Sequence, residues 1–90
     1  MSLYHASEDE RQKSGALVRM ARAVLHLSQA EFGRRSHYTG HAVNAWETGR
    51  VLAPLSIRRE CLRIVKAALR DSVELEAKIQ EHYSLLGYGK

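Results

Sequence analysis

His41, Asn44, Ala45 and Thr48 recur at i, i+3, i+4 and i+7 of one short segment. On a helix that spacing sets them on one face, with Val43 and Trp46 on the other and Ala42 beside them. The face is short, polar and nearly uncharged, unlike the Lys- and Glu-rich surface of an ordinary solvated helix. Small donors and acceptors on one stripe suit contact with base edges in a major groove, which must be approached closely. A protein contact, or a surface with no partner at all, would leave the same pattern. Residue type alone does not choose among these.

Charge adds a second indication. The net charge of the 90-residue chain is +4, but residues 1–10 sum to −3, residues 11–70 to +9 and residues 71–90 to −2. A basic centre between acidic ends suits a polyanion held by the middle of the chain. A solvated basic surface has the same composition.

Short helices must position the polar face. Ninety residues make one small domain with a modest core, whose stability self-association would help. Apolar residues recur at helical spacing, strand signals are nearly absent and Pro54 is the one proline, so the fold is expected to be all-α. Residues 1–13 read as an N-terminal arm or helical lead-in. Leu17, Met20, Ala21 and Val24 then predict the inner face of a first helix from Ser14. Ser28-Gln29-Ala30-Glu31 is a capping box that starts a second helix, running to about Arg35 with Phe32 inward. Thr39 is the natural N-cap of a third helix that continues to Thr48, and Gly49 supplies its left-handed end. Beyond Pro54, Ser56 is predicted to cap a fourth helix. Ile57, Cys61, Ile64, Val65 and Ala68 face inward on it, opposite Arg58, Arg59, Arg63, Lys66 and Arg70. Asp71-Ser72-Val73-Glu74 is a further cap-like signal, so a fifth helix is expected from near Ser72. Its stripe of Leu75, Ile79, Tyr83 and Leu86 would pack back on the core or form a two-fold seam. The expected organisation is thus a lead-in (1–13), a DNA-binding domain (14–70) and a C-terminal helix and dimerisation element (71–90).

The capped second and third helices carry a resemblance. Leu27-Ser28-Gln29-Ala30-Glu31-Phe32, then Thr39, Val43, Trp46-Glu47-Thr48-Gly49-Arg50 and Pro54, resemble the Cro/CI-type (XRE-family) helix-turn-helix without a gap. The register covers about residues 17–54. The resemblance implies a compact five-helix lambda-repressor-like domain and a sequence-specific transcriptional regulator, a dimeric repressor inserting helix 39–48 into the major groove of double-stranded DNA. It implies that Gln29 holds a phosphate at the start of the second helix. Thr39, Gly40, His41, Asn44 and Ala45 would face base edges or flanking phosphates, and Thr48 and Arg50 would meet the backbone. Arg22 and Glu47 would form an internal ion pair tying the first helix to the third. The chain departs from the family pattern at Gly33, where alanine is usual, at His37, where the turn usually has glycine, and at Ser36 and Tyr38, which replace aliphatic residues. Gly40 brings no side chain to a usual base-reading site. The Trp-Glu-x-Gly-Arg form also resembles that of antitoxins, which repress their own operon and bind a toxin, so a toxin or other protein partner is the alternative.

Other chemistry finds little support in the residues. His37 and His41 are four apart but straddle a turn and lack the Cys or carboxylate that would complete a tetrahedral site, so no metal or cofactor is expected. Cys61 is single and lies in an apolar stripe, which reads as a small buried hydrophobe. There is no phosphate-binding glycine loop and no nucleophile with a base and an orienting group, so an enzyme is not expected. No apolar run has the length of a membrane span, and a cytoplasmic location is expected.

Overall fold

Capping chemistry starts three of the four helices. The computed structural model describes the backbone of residues 6–85 and the side chains as far as Glu81. Among the described residues there is no strand, and the order is α1 (Glu8–Leu25), α2 (Gln29–Arg35), α3 (Gly40–Glu47) and α4 (Leu55–Leu85). No helix in this region is long and apolar enough to cross a membrane. Ser7 caps α1: its hydroxyl accepts from the Glu10 N–H at 3.1 Å, and the Glu10 carboxylate accepts from the Ser7 N–H at 3.2 Å. Glu8, Asp9 and Glu10 also place negative charge on the first turn, at the positive end of the helix dipole. Ser28 and Glu31 repeat the reciprocal pair at α2, and the Thr39 hydroxyl accepts from the Ala42 N–H at α3. Residues 8–13, expected as part of a lead-in, are therefore the first turns of α1. The capping box at Ser7 is the signal that marks them.

α1, α2 and α3 also end alike. After α1, Leu27 N–H donates to the Arg22 carbonyl and His26 N–H to the Ala23 carbonyl. After α2, Tyr38 N–H donates to Gly33 and His37 N–H to Arg34; after α3, Arg50 N–H donates to Ala45 and Gly49 N–H to Trp46. This paired closure needs a left-handed residue just past each helix. His26 (φ 56°), His37 (φ 64°) and Gly49 (φ 77°) occupy those places. Two of the three closures thus use a histidine where glycine would be unstrained.

The buried core is formed by Val18, Ala21, Phe32, Val43, Trp46, Ala53, Ile57, Cys61 and Ile64. α1 packs on α3 and on the first half of α4, and α2 packs on α3. The Tyr38 ring meets Trp46 edge-on, with centroids 5.0 Å apart and planes at 76°, so the aromatic in the turn closes one side of the core. α2 and the start of α3 come so close that a Cβ on Gly33 would lie 2.7 Å from the Thr39 carbonyl carbon. Alanine is a better helix former than glycine by roughly 1 kcal/mol, but it has no room here.

The structure corrects three expectations. The inner face of α1 is Ser14, Gly15, Val18 and Ala21, whereas Met20 and Val24 are exposed and Leu17 is only half-buried. The reason is steric: Gly15 passes directly under α3, where a Cβ would lie 2.5 Å from the Trp46 carbonyl oxygen, so small residues define that face. The helix after Pro54 begins at Leu55, with the Pro54 carbonyl accepting from the Arg58 N–H at 3.0 Å, and Ser56 is already inside it. Most consequential, there are four helices in the described residues and no fifth. α4 runs unbroken through Asp71-Ser72, because neither residue forces a break and no glycine or proline lies between Leu55 and Leu85. Leu75 and Ile79 do not pack back on the core but lie exposed. Leu86 and the Tyr83 side chain lie outside the described residues.

Two substitutions test this account by urea denaturation. His37→Gly should stabilise the chain by about 0.5–1 kcal/mol by relieving the left-handed strain. Gly33→Ala, which helix preference alone would favour, should destabilise it by about 1–3 kcal/mol through overpacking.

Candidate nucleic-acid interface

A buried carboxylate organises the outer face of α3. Glu47 closes that helix and is only 5% exposed. Arg22 of α1 grips it with two prongs, Nε donating to Oε2 at 2.7 Å and Nη2 to Oε1 at 2.9 Å. The remaining prong, Nη1, donates to the Leu27 carbonyl at 3.1 Å. Gln29, the first residue of α2, donates through Nε2 to Glu47 Oε1 at 3.1 Å and to Asn44 Oδ1 at 3.3 Å. Arg19 donates to the Glu47 main-chain carbonyl. Burial pushes the Glu47 carboxyl up, but hydrogen bonds from Arg22 and Gln29 and the charges of Arg22 and Arg19 outweigh it and hold it below its ordinary value. Its hydrogen bond to Glu47 raises the Arg22 guanidinium in turn, against the opposing effect of burial. One charged pair thereby joins α1, α2 and α3.

Asn44 is the point where this network reaches the surface. It is half-buried, and its amide oxygen is oriented by Gln29. His41 and Thr48 are exposed on either side of it along α3, and Ala45 is half-buried between them. Thr39 is exposed, but its hydroxyl is engaged as the cap of α3. Gly40 lies against α2, where a Cβ would come within 3.1 Å of the Ala30 Cα. The missing side chain at that position therefore has a packing cause. Together Gln29, Ala30, Gly40, His41 and Asn44 line an open depression of about 370 Å³. The role that family resemblance suggests for Gln29, an outward hold on phosphate, differs from what its Nε2 does here, which is to bridge two side chains of α3.

The loop after α3 is fixed from the other side. The Thr48 hydroxyl donates to the Asn44 carbonyl at 2.9 Å, and Arg50 Nε donates to that hydroxyl oxygen at 3.3 Å. The guanidinium of Arg50 is thus exposed beside the end of the helix. Arg11 of α1 donates through Nε to the Gly49 carbonyl at 2.8 Å and through Nη1 to the Ala6 carbonyl at 2.7 Å. The Gln12 amide reaches the Thr48 carbonyl at 3.5 Å. The sequence pattern assigns no contact to Arg11 or Gln12, and it sets Arg19 only off the apolar face of the first helix. Only the capping box at Ser7, by extending α1 backwards, could have suggested that Arg11 and Gln12 lie on a packed helix.

No group of three or more His, Cys, Asp and Glu that could hold a metal occurs among the described residues. Cys61 is buried, and burial together with the nearby acids Glu60 and Glu47 pushes its thiol up to about 11, so it is protonated at neutral pH and a poor nucleophile. Comparison with known protein families, curated proteins and solved structures finds no match. The geometry and chemistry of the site therefore carry the functional argument.

The central ion pair makes a signed prediction. A carboxylate held below its ordinary value contributes stability in full above the unfolded value, about pH 4.3, and loses it as pH falls through the folded value. Glu47→Gln should therefore be less stable than the parent at pH 7 and should show a shallower loss of stability on acidification below about pH 4.5. Arg22→Ala, which leaves the buried carboxylate with only Gln29, should cost about 3 kcal/mol at neutral pH. Adding Glu47→Gln to Arg22→Ala should then recover part of that loss in equilibrium denaturation.

Proposed function

We propose that this chain is a sequence-specific DNA-binding transcriptional regulator of the Cro/CI type, a dimeric repressor that sets α3 into the major groove of each half-site. One observation carries the proposal. The outer face of α3 presents His41, Asn44 and Thr48, polar and without Lys, Arg, Asp or Glu, while Val43, Trp46 and Glu47 on its inner face are buried. A surface meant only for solvent needs no buried charged network behind it. A surface that must meet base edges at hydrogen-bond distance does, because its side chains have to be held before the DNA arrives.

In this mechanism Asn44 is the principal reader. Its Oδ1 accepts from Gln29 but retains a second lone pair, and its Nδ2 is a free pair of donors directed by the same contact. That leaves one acceptor and one donor for the N6 and N7 edge of adenine. His41, one turn earlier, supplies a further donor or acceptor to a neighbouring base or phosphate. Arg50 meets the phosphate backbone next to the end of α3, and the basic middle of the chain adds a salt-sensitive, sequence-independent attraction. Gln29 acts as a positioning residue for Asn44.

Selection of bound duplexes from a random pool tests the proposal directly, with enrichment of a two-fold symmetric consensus as the expected result. On that site Asn44→Ala should lose about 1–3 kcal/mol of binding and relax one base position. Arg50→Ala should weaken all duplexes alike and lower the slope of affinity against salt by about one ion. Gln29→Ala should reduce discrimination and leave the salt slope unchanged. An equal loss on specific and random DNA for Asn44→Ala would remove it from the reading role.

A further inference from the structure

No described side chain in the second half of α4 is buried. Ile57, Cys61 and Ile64 of its first half belong to the core, but every described side chain from Leu69 to Glu81 is exposed. This half is nevertheless amphipathic. At about 100° per residue, Leu69, Ser72, Val73, Leu75 and Ile79 fall within one sector of about 160°; Ser72, Leu75 and Ile79 prolong the face that Ile57, Cys61 and Ile64 turn to the core, and Leu69 and Val73 widen it to one side, as Leu62 does. Arg70, Glu74, Lys78 and Glu81 lie on the opposite side. Leu69 is 62% exposed, Val73 66% and Leu75 59%. With Leu62 and Ile79, these side chains expose on the order of 500 Å² per copy, an apolar patch at the upper end of what soluble monomers show.

We infer that this face is covered by a second copy of the chain, the two α4 helices pairing antiparallel about a two-fold axis near Ser72. Charge selects both the occupant and the direction. Residues 58–70 of α4 carry five cations against Glu60, and residues 71–81 carry four acids against Lys78. A parallel pair would set basic half beside basic half and acidic beside acidic. An antiparallel pair sets each basic half against the acidic half of its copy, within the reach of unscreened interaction. Glu76 gives the same answer more locally. It stands seven residues after Leu69, in line with it on the apolar sector. In a parallel pair it would face its own counterpart, whereas in the antiparallel pair it lies opposite residues 66–70, with Lys66 at the edge of the sector. Complete mutual burial of the two sectors would remove at most about 1,000 Å² in all, the area at which specific interfaces begin.

The pairing stands on α4 alone, but one consequence rests on the DNA-binding function proposed above. The core-facing part of α4 centres near Cys61, eleven residues from Ser72, or about 16 Å at 1.5 Å per residue. The two heads then sit about 33 Å apart along the helix pair, close to one turn of DNA between half-sites.

Sedimentation equilibrium of the full chain without DNA, from about 5 to 200 μM, is the test, since micromolar association is what an interface at the lower size limit supports. A reversible monomer–dimer equilibrium is expected. Leu69→Glu combined with Ile79→Glu should weaken it at least 30-fold, with helicity and melting unchanged at concentrations low enough that both proteins are monomeric, because both side chains are exposed in the single chain. Direction is read from spin labels on Glu81→Cys, with the buried Cys61 thiol left unlabelled. An antiparallel pair places the labels about 27 Å or more apart, against about 10–15 Å for a parallel pair. A monomer at 200 μM, as a face reserved for another protein would give, overturns the inference; so does a dimer indifferent to the two glutamates, or a short label distance. A dimer with the long distance that fails to bind any duplex leaves the pairing intact and removes the DNA-binding function.

Discussion

A single buried carboxylate ties the three N-terminal helices together. Glu47 sits where α1, α2 and α3 meet, and a charge in that place is tolerable only because Arg22 and Gln29 satisfy it. That requirement propagates outward. Arg22 is aligned because its third prong meets the chain entering α2, and Gln29 is aligned because it opens that helix. Asn44 receives its orientation from the same amide that satisfies Glu47. The polar face of α3 is therefore rigid for a reason that lies beneath it. An apolar residue at position 47 could fill the space, but it could not direct the amide one turn away.

The turns serve the same end. Three successive helices close with paired main-chain hydrogen bonds around a left-handed residue, so the angles between α1, α2 and α3 are set by backbone geometry as well as by packing. His26 and His37 accept a conformation that glycine adopts more easily. Between them, α2 approaches α3 closely enough that contact requires glycine at Gly33 and leaves little room for a side chain at Gly40. Arg11 and Gln12 secure the loop after α3 from the far side, through the carbonyls of Gly49 and Thr48. The extension of α1 back to Glu8 is thus part of what fixes the candidate interface.

α4 divides into two physical regimes. Its first half is a core helix, and its second half is an amphipathic rod with an apolar sector and a charge gradient whose described side chains are all exposed. The helix continues across that boundary because local propensity does not change there. What changes is the presence of a neighbour.

Much of this protein could be read from residue order because its signals are local. The caps at Ser28 and Thr39, the end at Gly49, the inward phase of Val43 and Trp46 and the outward phase of His41, Asn44 and Thr48 depend on residues within a turn or two of one another. So did the all-helical class. Periodicity placed Ala21 correctly but took Met20 and Val24 for inner residues in place of Val18, since it counts large apolar residues and there part of the contact is made by Ser14 and Gly15, whose value is their small size. It also broke α4 at Asp71-Ser72, since a residue that can cap a helix can equally pass through the middle of one. Sequence by itself therefore determined which residues look outward from α3. Only the tertiary structure decided that Gln29 turns inward to hold Asn44 and Glu47, that Ala30 lies against Gly40, and that the described side chains from Leu69 to Glu81 stay exposed. Those outcomes follow from distances between segments far apart in the chain, and no local pattern of residues encodes them.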